Sequence, residues 1–252
     1  MFRLLILGFL ALVTLSAYGQ RELQLKPSIG LQFPFNSKAT NSGETFKVNN
    51  YNFGLDAGLI IEYKWTDKDA LITGWNSTGL GYGFRFGSPS IGFTRRTNIT
   101  KTLNVFPIAY QRHLTTVKMF KLKTPKELYA ILFRIRLLSG LSYYYSPPMT
   151  DDNTTYTACL GDCVIQDIVV RRRNAAIIAG LNLQFFNYER NSFQFTLLYS
   201  KGLFEQTKAN INYRLTNSSL DETATIVSRG SYLSLQLSYP IKLWKQKIYQ
   251  SQ

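Results

Sequence analysis

The run Tyr51-Asn52-Phe53-Gly54-Leu55-Asp56-Ala57-Gly58-Leu59-Ile60-Ile61-Glu62-Tyr63-Lys64-Trp65 alternates with a period of two. Tyr51, Phe53, Leu55, Ala57, Leu59, Ile61, Tyr63 and Trp65 share one face. Asn52, Gly54, Asp56, Gly58, Glu62 and Lys64 share the other. Successive side chains of a strand point to opposite sides, so this is a long strand with one bulky apolar face and one small or polar face.

The same grammar recurs outward from that run. Leu23, Leu25, Pro27, Ile29, Leu31, Phe33 and Phe35 alternate with Gln24, Lys26, Ser28, Gly30 and Gln32. Leu80, Tyr82, Phe84 and Phe86 alternate with glycines and Arg85. Tyr129 to Tyr145 sets an apolar face against Arg134 and Arg136. Ile177–Phe185, Phe193–Tyr199 and Leu233–Tyr239 follow suit, and Leu103–Arg112 is a strand whose faces do not separate. Eight strands result, or ten if Ala209–Leu215 forms another.

The links between strands tend to alternate in length. Asn36–Asn50, Gly87–Thr100, Ser146–Asp167 and Phe204–Arg229 read as long, whereas Thr66–Asp69 and Asn187–Asn191 are short. The link near His113–Glu127 is short if both flanking strands extend to a turn at Lys123–Lys126. A soluble sandwich has no reason to gather its long loops at one end, but a transmembrane barrel does. Strands of roughly 9–11 residues cross the hydrocarbon, and closure removes the sheet edges that lipid cannot satisfy. The expected fold is therefore all-β: an antiparallel up-and-down transmembrane barrel over residues 20–252. Tyr51, Tyr63, Trp65, Tyr143 to Tyr145, Tyr199 and Tyr239 suit its aromatic girdles.

Composition agrees. Hydrophobic types make up 45% of the 252 residues and charged types 17%, which excludes a disordered chain. Mean hydropathy is only −0.11, and past residue 20 no apolar run is long enough for a spanning helix. At the start, Met1-Phe2-Arg3 is basic, Leu4–Leu15 is apolar, and Ala17 and Gly19 fit an A-x-A-like cleavage pattern. Residues 1–19 thus read as a secretory signal peptide cut between Gly19 and Gln20.

The sequence resembles the PorT-like family of small outer-membrane β-barrel proteins of Gram-negative bacteria. Besides the signal peptide, the resemblance is carried by Val105-Phe106-Pro107, Leu138-Ser139-Gly140-Leu141-Ser142-Tyr143, Tyr199-Ser200-Lys201-Gly202-Leu203 and Tyr232–Tyr239. Many such barrels finish on an aromatic residue, whereas this chain continues through Ile241 to Gln252. The resemblance implies an integral outer-membrane protein, some relatives of which serve secretion, and it implies no catalytic residues.

Function is read from what the faces carry. With the apolar faces toward lipid, Asp56, Glu62, Arg85, Arg134 and Arg136 point into the lumen. There they form either a charge network closing the barrel or the lining of a narrow small-solute channel. Arg95 and Arg96 in an outer loop, and Arg171, Arg172 and Arg173 at an outer strand end, are candidate contacts for the phosphates of lipopolysaccharide. Lys118, Lys121, Lys123, Lys126, Lys242, Lys245 and Lys247 gather at the opposite end, where anionic phospholipid lies. Export disfavours nucleic acid as the partner behind the net charge of +14. Cys159 and Cys163 flank a three-residue segment and are a candidate disulfide. A lipid-modifying barrel enzyme is the competing class, but the single histidine, His113, falls at the periplasmic end. The expectation is a non-catalytic barrel, without cofactor or metal, that serves as scaffold, adhesin or secretion component.

Overall fold

The computed structural model describes residues 21–35, 38–41, 46–49, 53–88, 93–123, 128–148, 155–158, 163–187, 190–214 and 221–246. Over 80–88, 93–100, 118–123 and 128–131 it describes backbone pairing alone. The signal peptide and the Gly19–Gln20 cleavage point lie outside the described residues.

Eight strands close a barrel. They are β1 (Arg21–Pro34), β4 (Gly54–Lys64), β5 (Asp69–Ser88), β6 (Phe93–Lys123), β7 (Leu128–Tyr145), β10 (Arg173–Asn187), β11 (Arg190–Gly202) and β14 (Tyr232–Ser238). Each pairs antiparallel with its neighbours, and β14 returns to β1 over Ser28–Pro34 against Tyr232–Ser238. The closing strand continues past Tyr239-Pro240 as β15 (Ile241–Gln246), which pairs with Arg21–Leu25 of β1. Closure satisfies backbone donors and acceptors without water, as lipid demands.

The side chains sort as the alternation predicts. On β4, Leu55 is 67% exposed outward while Glu62 is 0% exposed inward. Ile29, Leu141, Ile177, Leu197 and Leu235 continue the outward belt around the wall. Glycines on the inner face let side chains from facing strands fit. A Cβ on Gly58 would stand 1.9 Å from Asn76 Oδ1 and 2.3 Å from the Trp75 carbonyl oxygen. Gly74 has φ of +149°, and the β5–β6 ladder is interrupted between Thr73 and Asn76, opposite Pro107, which has no N–H to give, while the register is the same on both sides of the gap.

The expected long loops carry structure of their own. β2 (Lys38–Asn41), β8 (Thr155–Ala158), β9 (Cys163–Val169), β12 (Thr207–Arg214) and β13 (Asp221–Ser228) form a second sheet in the order β2-β13-β12-β9-β8. β9, β12, β13 and β2 adjoin β10, β11, β14 and β1 along the chain, so this sheet repeats their order beyond the barrel rim. Ala209–Leu215 is therefore mostly strand, within β12, but it belongs to this outer sheet and adds nothing to the barrel wall. Ile165, Ala209, Ile211, Ala224 and Ile226 are its buried face.

The segment 87–100 corrects another expectation. It is chiefly paired strand, because β5 and β6 run on as a hairpin to Ser88 and Phe93, joined there by β3 (Phe46–Asn49) on β5. At the other end, β6 reaches Lys123 and β7 starts at Leu128, so the link between them is short.

Candidate functional site: a filled lumen

The barrel interior is built by the inward parity of each strand. At the end bearing the short turns, Glu62 on β4 is the hub. Its Oε2 accepts from Lys26 Nζ on β1, and its Oε1 accepts from Arg136 Nη1 on β7 at 2.8 Å. Lys26 also donates to Gln194 Oε1 of β11 at 2.7 Å, so one contact chain joins β11, β1, β4 and β7. Lys64 Nζ lies 3.6 Å from Glu62 Oε1 and 3.7 Å from Glu22 Oε1. Charges taken out of water must be paired and hydrogen-bonded, and Lys26, Glu62 and Arg136 meet that condition within 3% side-chain exposure.

Toward the loop end, Asp56 holds a separate position. Its Oδ2 accepts from Gln236 Nε2 at 2.5 Å and from Ser234 Oγ at 3.1 Å. Tyr144 and Tyr232 stack with centroids 6.2 Å apart, and the Tyr144 hydroxyl meets Ser200 Oγ. Ile72, Leu103, Val105, Leu138, Ile178 and Leu198 pack with these rings in one buried cluster. Among the described residues, a cavity of about 40 Å³ touches Lys26, Asn76, Asn182 and Gln194. It has room for a few waters at about 10–15 Å³ each.

This is a membrane-spanning barrel of the outer-membrane type. An apolar belt outside, a closed wall and a polar-and-apolar filling inside leave it no other solvent arrangement. No family model matches the chain, and no curated protein matches it. Among solved structures, the outer membrane protein OprG from Pseudomonas aeruginosa is similar with a TM-score of 0.46 and 9% identity, over 88% of this chain and 97% of that one. The transport unit of the autotransporter AIDA-I from Escherichia coli gives 0.31 and 11% over 88% and 89%. The translocator domain of the autotransporter NalP from Neisseria meningitidis gives 0.27 and 9% over 88% of each chain.

Of the sequence-derived lumen residues, Glu62 and Arg136 meet directly, while Asp56 bonds to β14 instead. The set is therefore two sites rather than one network. Arg134 is half-buried on the same inward face of β7. The side chain of Arg85 lies outside the described residues, as do those of Arg95, Arg96 and Cys163. Cys159 lies outside them altogether. Arg171 is exposed with its guanidinium 5.0 Å from the Phe204 ring centroid, and Arg173 is exposed at the start of β10. His113 Nδ1 lies 3.3 Å from the Ile135 carbonyl oxygen and Nε2 lies 3.3 Å from Thr116 Oγ1.

Tyr144 corrects the girdle assignment. Tyr143 faces out at 44% exposure, but Tyr144 is 0% exposed inside the lumen. Sequence reasoning did not single out Lys26 as a partner of Glu62, or Gln194 as a partner of Lys26, although the parity of β1 and β11 turns both inward.

Proposed function

We propose that this protein is a non-catalytic outer-membrane barrel, sealed through its lumen, that holds an ordered sheet beyond the rim for recognition. The observation that carries this reading is the filling of the described lumen by the Lys26–Glu62–Arg136 cluster and by the Tyr144–Tyr232 pair with its apolar neighbours, with a cavity of about 40 Å³ beside them. A conducting pore needs a continuous water path, and eight strands enclose an interior just wide enough for side chains to fill. The filling that denies passage also ties four strands together, which suits a rigid mount.

On this reading the working surface is the five-stranded outer sheet, placed on the side of the longer connections and hence outside the cell. Arg171, Arg172 and Arg173 lie at the junction between that sheet and the barrel. With Arg95 and Arg96 of β6, they are the candidate phosphate contacts to lipopolysaccharide. The PorT-like resemblance favours a secretion or envelope complex as the partner bound above them.

Two measurements test the proposal. Purified protein in planar bilayers is expected to show no stepwise conductance, and a tagged chain pulled from native membranes is expected to retain an envelope partner. Regular unitary conductance from the intact chain overturns the sealed reading in favour of a small-solute channel.

A further inference from the structure

A bulge in β15 sorts its side chains between lipid and lumen. Strict alternation puts residues three apart, such as Lys242 and Lys245, on opposite faces. Here the β1–β15 register shifts by one residue, so Lys242 pairs with Gln24 and Lys245 with Glu22, and Leu243 is the extra residue. Bulges of this kind re-aim side chains. Gln24 is wholly buried inside the barrel and Glu22 shares its parity, so both lysines stand on the lumen side, exposed at its mouth. Trp244 pairs with Leu23 on the lipid side.

The mouth that the two lysines join holds more cations than carboxylates. Among the described residues, Lys26, Lys64, Arg134, Arg136, Lys242 and Lys245 face inward at the short-turn end. Against them stand Glu22 and Glu62, with Asp67 in the adjoining turn acting on Arg134. These groups act on one another: Glu22 feels Lys64, Lys242 and Lys245, and Lys64 feels the like charges of Arg136, Arg134 and Lys242. Lys26, Lys64 and Arg136 are buried against the two glutamates, whereas Arg134 is half-buried and Lys242 and Lys245 are exposed. Arg134 is on β7, four strands from β1 around a wall of eight, and so lies across the mouth from both lysines. A concave site lined by one sign of charge, with low-dielectric walls, focuses its field on what enters it.

We infer that the periplasmic mouth of the barrel is a docking site for an acidic polypeptide segment. Its carboxylates meet Lys242 and Lys245 on one wall and Arg134 on the other. Charge complementarity selects the sign of the occupant. The placing of cations on both walls selects several carboxylates on one chain over a single small anion. The narrow interior of an eight-stranded barrel selects an extended segment over a folded domain. Because both lysines stand on the lumen side, the site lies on the barrel axis, away from the surrounding lipid. It depends neither on the outer sheet nor on closure of the lumen.

The test is fluorescence anisotropy of a labelled hexaglutamate peptide titrated with the full chain in phosphatidylcholine nanodiscs. Hexaglutamate is expected to bind, more weakly as salt rises, and hexalysine is not. The combined Lys242→Gln and Lys245→Gln variant is expected to weaken binding roughly tenfold, since two exposed ion pairs are lost. Glu22→Gln, which removes a competing carboxylate, is expected to tighten it. Lys201→Gln with Arg229→Gln, which removes two exposed charges at the loop end, is expected to leave it unchanged. Folding of each variant is read from heat-dependent gel mobility, and if the lysine variant does not fold Glu22→Gln decides. Absence of binding, an unchanged affinity in the folded lysine variant, or weaker binding by Glu22→Gln overturns the inference. Full displacement of the peptide by inorganic phosphate at constant ionic strength also overturns it, in favour of a site for a single small anion.

Discussion

Replacing Glu62 by Ala should cost the barrel more than any other single change in its lumen. Glu62 is wholly buried and accepts from Lys26 and Arg136, with Lys64 3.6 Å away. Removing the carboxylate leaves two buried cations facing each other with no anion between them. Breaking a buried pair in this way costs about 3–5 kcal/mol. With a urea m-value of about 2 kcal/mol/M, the unfolding midpoint should fall by ~1.5–2.5 M. The assay is reversible unfolding in lipid vesicles, followed by tryptophan fluorescence and heat-dependent gel mobility. The companion variant Lys26→Met, Glu62→Met and Arg136→Met exchanges the whole cluster for apolar side chains. Such an exchange is often neutral or stabilising, so the triple variant should be more stable than Glu62→Ala alone. Residues in one network do not add, and that inversion is the signature of the cluster. A Glu62→Ala chain within about 1 kcal/mol of the parent, or a triple variant weaker than the single, refutes a tightly coupled buried site.

Three further outcomes follow from other parts of the molecule. Gly58→Val should destabilise the barrel by roughly 1–3 kcal/mol, because its Cβ meets Asn76 and the Trp75 carbonyl, and a lower temperature of gel-mobility shift would report it. Tyr144→Ala with Tyr232→Ala should still give no conductance, since the Glu62 cluster closes the other half. Adding Glu62→Ala and Arg136→Ala to that pair should give unitary steps in planar bilayers. Ile211→Asp, at a position 1% exposed in the outer sheet, should make residues 207–228 sensitive to protease on whole cells while the barrel keeps its folded gel mobility.

How much of this was legible in the sequence depended on whether a strand's two faces differ. On β1 and β4 they do, and alternation alone turned Leu55 to lipid and Glu62 to the lumen. On β6 they do not. Leu103, Val105, Pro107 and Ala109 face the buried cluster while Phe106, Ile108 and Tyr110 face lipid, so both faces are apolar and the period vanishes. Tyr143, Tyr144 and Tyr145 are consecutive, and parity separates the middle one only once the register of β7 is known. The ion cluster could be read as inward charge but not as contacts, because Lys26 and Arg136 lie 36 and 74 residues from Glu62: Lys26 meets it through the β1–β4 pairing, and Arg136 only once the wall curves β7 round to face β4. The outer sheet was hardest to see. Its strands are 4 to 8 residues long, and among them only Ala209–Leu215 carried enough pattern to suggest a strand.

The interrupted closing strand also bears on how such a chain reaches its folded state. Ser28 and Ser238 are direct partners although about 210 residues separate them. Bringing the ends of so long a loop together costs on the order of 5 kcal/mol beyond a constant, and no neighbouring hairpin shares that cost. The β4–β5, β5–β6, β6–β7 and β10–β11 pairs join strands consecutive along the chain over short links, so they form early and locally, while β1–β4, β7–β10 and β11–β14 close over longer connections far shorter than that between β1 and β14. The β1–β14 ladder must then form last and set the pace, in keeping with the slowness of long-range pairing. Pro27 and Pro240, at the break in this ladder, divide that final step into an upper run of seven pairs and a lower run of five. Assembly would finish as a zip in two stages, with Tyr239-Pro240 as the pause between them.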